Sequence, residues 1–267
     1  MIHPTAIVDT RAEIDPTASI GPYAIIEGPV KLRANVKVEA HAQVLGNATI
    51  GAGTVIGRAA IIGADPQDLS FKPETESFTI IGANNVIREQ VTIHRGSKTG
   101  SATRVGEGNF IMATAHFAHD VQIGNKNVIA NAALLAGHVH VGNNVFIGGG
   151  SVFHQFIRIG DFCMFQGNSS FSKDLPPYCI GNLLNRVAGI NVIGLRRAGF
   201  TAADRAEVKR VVDLLFRSGL NRSQALEAIA LEAWGAPAQR FIDFIQAPSK
   251  KGIARMHLKM GEADGEE

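Results

Sequence analysis

Aliphatic residues recur at every sixth position along most of this chain. From Ile2 the register runs through Val8, Ile14, Ile20, Ile26, Leu32, Val38, Val44, Ile50, Ile56 and Ile62. Four residues after each, small or β-branched side chains dominate, from Ala6, Ala12, Ala18 and Ala24 to Thr54 and Ala60. The phase breaks, resumes at Ile81, Ile87 and Ile93, and then holds without a miss from Val105 to Phe171, through Phe117, Ile123, Ile129, Leu135, Val141, Ile147, Phe153, Ile159 and Phe165. Neither a helix (period ~3.6) nor a flat strand (period ~2) repeats this way. A short strand followed by a turn does, with one large and one small residue pointing inward per unit. Three such units close a triangular coil of 18 residues, and successive coils stack as parallel strands ~4.8 Å apart. The spacing predicts a parallel β-helix of about nine coils over residues 2–176. Glycines often follow the aliphatic position (Gly21, Gly51, Gly124, Gly142, Gly148 and Gly160). They are read as permitting backbone conformations closed to other residues.

Two polar, turn-rich stretches interrupt the repeat, at 64–79 and 94–104. In a solenoid such insertions project as loops from one face, often the binding face. The period ends at Pro176-Pro177, and after Phe200 the pattern turns helical. Thr201 and Asp204 have the spacing of a capping box, and Val208, Val211, Val212 and Leu215 follow at helical spacing. Helices are expected over about 202–218, 222–234 and 237–246, stopped by Ser218-Gly219 and by Gly235 with Pro237. A charged, frayed tail is expected from Pro248 onward. The division is thus a β-helical prism with projecting loops over 1–180 and a connector plus small all-α domain over 181–267. The helices are expected to cap the open end of the prism, which would otherwise present unpaired strand edges.

Composition narrows the function classes. Charge is nearly balanced, with 26 Lys+Arg against 24 Asp+Glu, so nucleic acid is not indicated as the main partner. Two cysteines, Cys163 and Cys179, are too few for a disulfide framework and fit a reducing compartment. The start, Met1-Ile2-His3-Pro4, lacks the basic and apolar regions of a signal peptide, and no apolar run is long enough for a membrane span.

Of nine histidines, His116, His119, His138 and His154 fall in the third run. Counting by 18 stacks position 119 under 137 and 155, and 120 under 138 and 156. His119, Gly137-His138 and His154-Gln155 should therefore gather along one edge over three coils. Such a cluster can supply a general base with neighbouring donors. Solvated surface histidines are the plainer alternative for any one of them. Zinc held between subunits is another, although His116 and His119 flank Phe117 on opposite sides, so a three-histidine cage needs groups from a second chain. Gly148-Gly149-Gly150 precedes no helix and reads as a tight turn rather than a phosphate cradle. No cofactor is indicated.

Several segments carry a family resemblance. They are Ile93-His94-Arg95-Gly96, Ala115-His116-Phe117-Ala118-His119-Asp120, Leu135-Ala136-Gly137-His138-Val139, Val152-Phe153-His154-Gln155-Phe156, Asp174-Leu175-Pro176-Pro177-Tyr178 and Asn191 through Phe200. In this order they resemble the bacterial UDP-N-acetylglucosamine O-acyltransferases of lipid A synthesis, over nearly the whole chain. The repeat alone is shared by many acyltransferases; the histidine-bearing segments are more specific. The resemblance implies a left-handed coil and a cytoplasmic homotrimer with sites between subunits. It implies a 3-hydroxyacyl donor on acyl carrier protein and UDP-N-acetylglucosamine as acceptor, acylated on the glucosamine 3-hydroxyl. It makes His119 the general base, Asp120 its orienting partner and the Gly137 N–H an oxyanion donor. Adjacent strand residues point apart, so a His119–Asp120 pair requires a kinked backbone or a second subunit. By the same resemblance His116, His138, His154, Gln155 and Asn191 would hold substrate, Asp68 the sugar, and Arg197 a phosphate. Gly167 falls at the acyl-chain ruler, where a small residue implies room for a chain of about fourteen carbons rather than ten.

The sequence departs from that pattern at Ser70, where relatives often carry lysine, and at Ile193, where they carry an acidic residue. The rival readings are the N-acyltransferase of the same pathway, a zinc-dependent prism of the γ-carbonic-anhydrase kind, and a non-catalytic scaffold. The first usually carries a domain before its prism, whereas repeats begin here at residue 2. Stoichiometric zinc would favour the second, and a role that survives loss of His119 the third. Use of a 3-amino sugar acceptor also stays open, with Asp68 favouring the hydroxyl.

Overall fold

The computed structural model describes residues 1–256. Most hexads contribute a two-residue strand ending on the aliphatic position, as in Ser19–Ile20 and Val128–Ile129. The strands form three sheets of nine, eight and ten strands, and throughout the repeat each strand's neighbour lies three strands away in sequence. Pairing is parallel at a register of eighteen, Ile7 opposite Ile25 and Ile26 opposite Val44. The large residue and the small residue of each unit both point inward. Ile26, Val44, Ile56, Ile87, Ile129 and Phe165 are fully buried, as are Ala24, Ala42 and Ala60. Each such aliphatic side chain removed from water stabilises the prism by roughly 1.5–3 kcal/mol.

The polar interruptions lengthen two coils. Ile61 pairs with Thr92, thirteen positions beyond the regular partner Thr79. Thr79 pairs with Thr103, six beyond Ser97, so the second insertion is one whole hexad. The looped backbone is shorter than the polar stretches suggest. Phe78–Ile81 and Ala102–Val105 are already strands, because alternating apolar residues there rejoin the core. Arg95 fastens the first loop. It donates to Asp65 Oδ1 (2.8 Å) and to the carbonyls of Thr75 (2.6 Å) and Pro73 (2.8 Å), and lies over the Phe71 ring.

The glycines after the aliphatic positions play a different part from the one expected. Gly21, Gly51, Gly124, Gly142, Gly148 and Gly160 do not have positive φ. They are needed for closeness: a Cβ on Gly124 would sit 2.5 Å from the Gly142 carbonyl oxygen, and one on Gly21 2.9 Å from Ala40 N. The left-handed corners fall elsewhere in the hexad and are mostly occupied by non-glycine residues, among them Asn84, Asn144, Asn168, Asp120, His138 and Phe156, with Gly53, Gly108 and Gly150 at others.

Past Pro177 the chain adds two strands that the hexad pattern does not announce. Cys179–Asn182 extends the third sheet in parallel, and Arg186–Ile190 returns antiparallel to it. Four helices follow: α1 (Val192–Arg197), α2 (Ala202–Phe216), α3 (Arg222–Ala230) and α4 (Ala236–Gln246). The Thr201–Asp204 capping box is present at the start of α2. Helices α2 and α3 end earlier than periodicity suggests, because side chains take over the last carbonyls. Ser218 Oγ donates to Leu214 O (2.6 Å) and Trp234 Nε1 to Ile229 O (2.8 Å). The helical region is pinned to the last coils by Arg158. Its guanidinium pairs with fully buried Asp174 (2.8 Å) and stacks on Phe244 of α4. The tail is not frayed over its described part. Asp174 bridges Ile253 and Arg186 bridges Arg255, which returns residues 252–255 to the prism. Residues 257–267 of the predicted tail lie outside the described residues. Cys163 and Cys179 are buried and free.

Candidate active site

The expected stacking of residues 119, 137 and 155 is present. His138 N donates to His119 O (3.1 Å) and Phe156 N to Gly137 O (3.2 Å), so these corners lie directly above one another. Asp120, at φ 61°, turns the chain sharply just after His119. That left-handed corner brings two consecutive side chains to one side, and His119 Nδ1 lies 2.9 Å from Asp120 Oδ2 within a single chain. A kinked backbone, not a second subunit, therefore makes the pair. An ionised carboxylate only accepts, so Nδ1 carries the hydrogen and the Nε2 lone pair is left for a substrate proton.

The carboxylate is itself held. Ser97, in the second inserted loop, donates to the same Oδ2 through its N–H (3.0 Å) and its hydroxyl (2.6 Å). Asp120 N donates to Thr103 Oγ1 (2.8 Å). Burial by itself would raise the Asp120 pKa, but donors from the Ser97–Ser101 loop and from His119 outweigh it and hold the carboxyl below its ordinary value. Ser97 and Thr103 escape sequence reasoning at the level of roles. The only signal was that this polar insertion interrupts the repeat just before the histidine-rich run.

Gly137 lies under the base. A Cβ there would meet His119 Cε1 at 2.5 Å, so only glycine lets the imidazole settle on the next coil. Its N–H donates to no protein atom among the described residues. A crevice of about 460 Å³ opens beside these groups. Its lining includes His116, His119, Gly137, His154 and Gln155, with Leu134 and Val152 as an apolar strip. His138 adjoins it, edge-on to His119 at 5.1 Å between ring centroids and stacked on Phe156 at 4.6 Å. His116 bonds Thr92 Oγ1 (2.7 Å) and meets buried His94 edge-on. Burial lowers the His116 pKa, and burial together with the neighbouring histidines pushes that of His94 down to about 4. This inner pair is therefore neutral near pH 7.

The remaining candidates are dispersed. Asp68 is exposed on the first loop, its carboxylate taken by Ser70 N and Oγ (both 2.8 Å). Asn191 caps α1, accepting from Gly194 N (3.0 Å) and donating to Phe162 O (2.9 Å). Arg197 is exposed in the last turn of α1, and Gly167 sits at an exposed turn packed on Gly149. None of Asn191, Arg197 and Gly167 lines the crevice of its own chain.

One atom each from His119, Asp120 and His138 lie within 4.8 Å of one another, a donor set that divalent metals accept. The 2.9 Å His119–Asp120 separation is hydrogen-bond length. Atoms ~2.1 Å from a tetrahedral zinc stand about 3.4 Å apart. The oxygen is moreover already filled by Ser97. The geometry is that of a hydrogen-bonded imidazole–carboxylate pair.

A β-helix of hexapeptide units, with a carboxylate-held imidazole set against an open backbone amide, defines an acyltransferase of the hexapeptide-repeat class. Residues 102–137 match the bacterial transferase hexapeptide model, and residues 174–254 match the second-domain model of UDP-N-acetylglucosamine O-acyltransferase. The chain is 42% identical over 258 residues to the acyl-[acyl-carrier-protein]–UDP-N-acetylglucosamine O-acyltransferase of Syntrophobacter fumaroxidans, covering 95% of this chain and 99% of that protein. The solved UDP-N-acetylglucosamine acyltransferase of Francisella novicida superposes with a TM-score of 0.92 at 36% identity, over 96% and 94% of the two chains. The O-acyltransferase of Moraxella catarrhalis gives 0.91 at 39%, over 95% and 99%. The chain belongs to the UDP-N-acetylglucosamine O-acyltransferase family.

Proposed function

We propose that this protein transfers a 3-hydroxyacyl group from acyl carrier protein to the glucosamine 3-hydroxyl of UDP-N-acetylglucosamine, the opening step of lipid A synthesis. The observation that carries the mechanism is the His119–Asp120–Ser97 chain beside the free Gly137 amide. His119 Nε2 takes the proton of the sugar hydroxyl as its oxygen bonds to the thioester carbonyl carbon. The Gly137 N–H donates to the carbonyl oxygen as it becomes an oxyanion. Collapse breaks the C–S bond, and the imidazolium returns its proton to the leaving thiolate. Asp120 stays ionised throughout and stabilises the imidazolium.

The site is completed by a neighbouring copy in a trimer. Outward-facing rows support this: Phe110, Val128, Phe146 and Met164 form a continuous apolar ladder on one sheet, and Leu134 and Val152 form another beside the crevice. Phe146, Leu134 and Val152 are 37–44% exposed in the single chain. A partner is the source of the Arg197, Asn191 and Gly167 contacts that the crevice of one chain lacks. No described helix is long and apolar enough to cross a membrane, and the cytoplasm, where acyl carriers and nucleotide sugars meet, is the proposed compartment.

The test is product formation from UDP-N-acetylglucosamine with a panel of 3-hydroxyacyl carrier proteins, with the ester located by mass spectrometry. O-acylation with a preference near fourteen carbons is expected. Absence of product across the panel, or acylation only of a 3-amino sugar, removes the reading. His119→Ala is expected to lower turnover by ~10²–10⁴-fold while leaving the quaternary state intact.

A further inference from the structure

Four cations converge on the outer side of the crevice, supplied by three separate segments. Lys250 Nζ stands 4.5 Å and Lys251 Nζ 5.9 Å from the centroid of the Phe156 ring. Phe156 is stacked on His138, which is edge-on to His119. The three rings thus form a continuous path from the base to the ammonium groups. Lys98 comes from the same inserted loop as Ser97. Lys173 reaches the tail, its Nζ 3.8 Å from where a Cβ on Gly252 would be. None of the four makes an ion pair among the described residues. Lys98, Lys173 and Lys250 are exposed. The cluster is built rather than incidental. The tail that carries Lys250 and Lys251 is anchored immediately afterwards, through Asp174 N to Gly252 O (2.8 Å) and Ala254 N to Asp174 O (2.8 Å). The Asp174 concerned is the one that pairs with Arg158.

Unpaired ammonium groups held close together repel one another, and an anionic partner relieves that repulsion. The crevice also meets Gln67, next to Asp68 on the first loop, where a carboxylate disfavours a phosphate. We propose that Lys250 and Lys251, with Lys98 and Lys173, form the docking surface for the anionic face of the acyl carrier protein, so that its thioester arm enters along Phe156 and His138 toward His119. This rests on the function proposed above and adds which surface receives the donor. Exposed charges of this kind act mainly on encounter and are screened by salt.

The experiment uses the full-length protein with Lys250→Glu/Lys251→Glu, and Lys250→Gln/Lys251→Gln as a milder pair whose folding is checked by thermal melting. Expected is a rise of about tenfold or more in KM for the acyl carrier at low salt, smaller for the glutamine pair. The difference should narrow at ~0.5 M salt, and KM for the sugar nucleotide should stay unmoved. A carrier KM equal to wild type overturns the proposal. So does a rise confined to the sugar nucleotide, which would give the lysines to the diphosphate instead. If the wild-type protein acylates nothing, the underlying functional reading fails. If wild type is active and the charge-reversed pair matches it, only the docking surface fails.

Discussion

Asp120 Oδ2 accepts from His119 Nδ1 and from two donors on Ser97, so the orientation of the base depends on a residue of the second inserted loop, outside the eighteen-residue register of His119. Ser97→Ala removes the shorter of the Ser97 bonds. Turnover is expected to fall on the order of tenfold with KM little changed, because hydrogen bonds to a charged group contribute about 1.5–3 kcal/mol. The acid limb of the rate profile should move to higher pH, since a carboxyl that loses a donor protonates more readily. Ser97→Thr, which keeps the hydroxyl, should restore both. A pH–rate profile for the three proteins checks this, and an unmoved profile in the alanine variant would show that the serine is mere packing. His94 makes a second prediction. The unfolded chain takes up its proton near the ordinary value of 6.5, whereas folded His94 resists until about 4. The folded state therefore keeps its stability above that window and loses it as pH falls through it. Melting temperatures measured from pH 7 to pH 4.5 should fall less steeply for His94→Asn than for wild type.

Within the coils, side-chain ladders do work that periodicity conceals. Asn85 Oδ1 accepts from Asn109 N and Nδ2 (both 2.9 Å), Asn109 Oδ1 from Asn127 N (2.9 Å), and Asn127 Oδ1 from Val145 N (2.7 Å). All three asparagines are buried. They satisfy backbone donors at a corner where the short strands leave them unpaired. Asn109→Ala orphans the Asn127 N–H and is expected to cost about 2 kcal/mol, read as a lower urea midpoint at unchanged m-value. An unaltered midpoint would mean that water replaces the amide. The helices follow local rules more openly, with capping boxes at Thr201 and Asn221. Helix α1 is only six residues long, too short for apolar periodicity to declare itself, and is set by the Asn191 cap.

At the scale of the molecule, the apolar ladder through Phe146 is the face proposed to meet a neighbour. Phe146→Asp places a charge in that contact and should yield monomers in light scattering, with activity lost in parallel, whereas Phe146→Leu should retain both. A charged variant that stays trimeric would move the interface elsewhere. The division between chain and fold follows from the range of the interactions. The coil is legible in the chain, because a six-residue period leaves one inward geometry for Ile26, Val44 and their equivalents, and counting by eighteens aligns His119 with Gly137 and Gln155. What surrounds them is set by packing between distant segments. The reach of Ser97 from an inserted loop, the return of Lys250 and Lys251 to Phe156 and the bond from Asn191 to the Phe162 carbonyl all depend on contacts between segments with no common period. A repeat repeats only what every coil needs, and the groups that make one coil different are placed by packing between segments that the period does not relate.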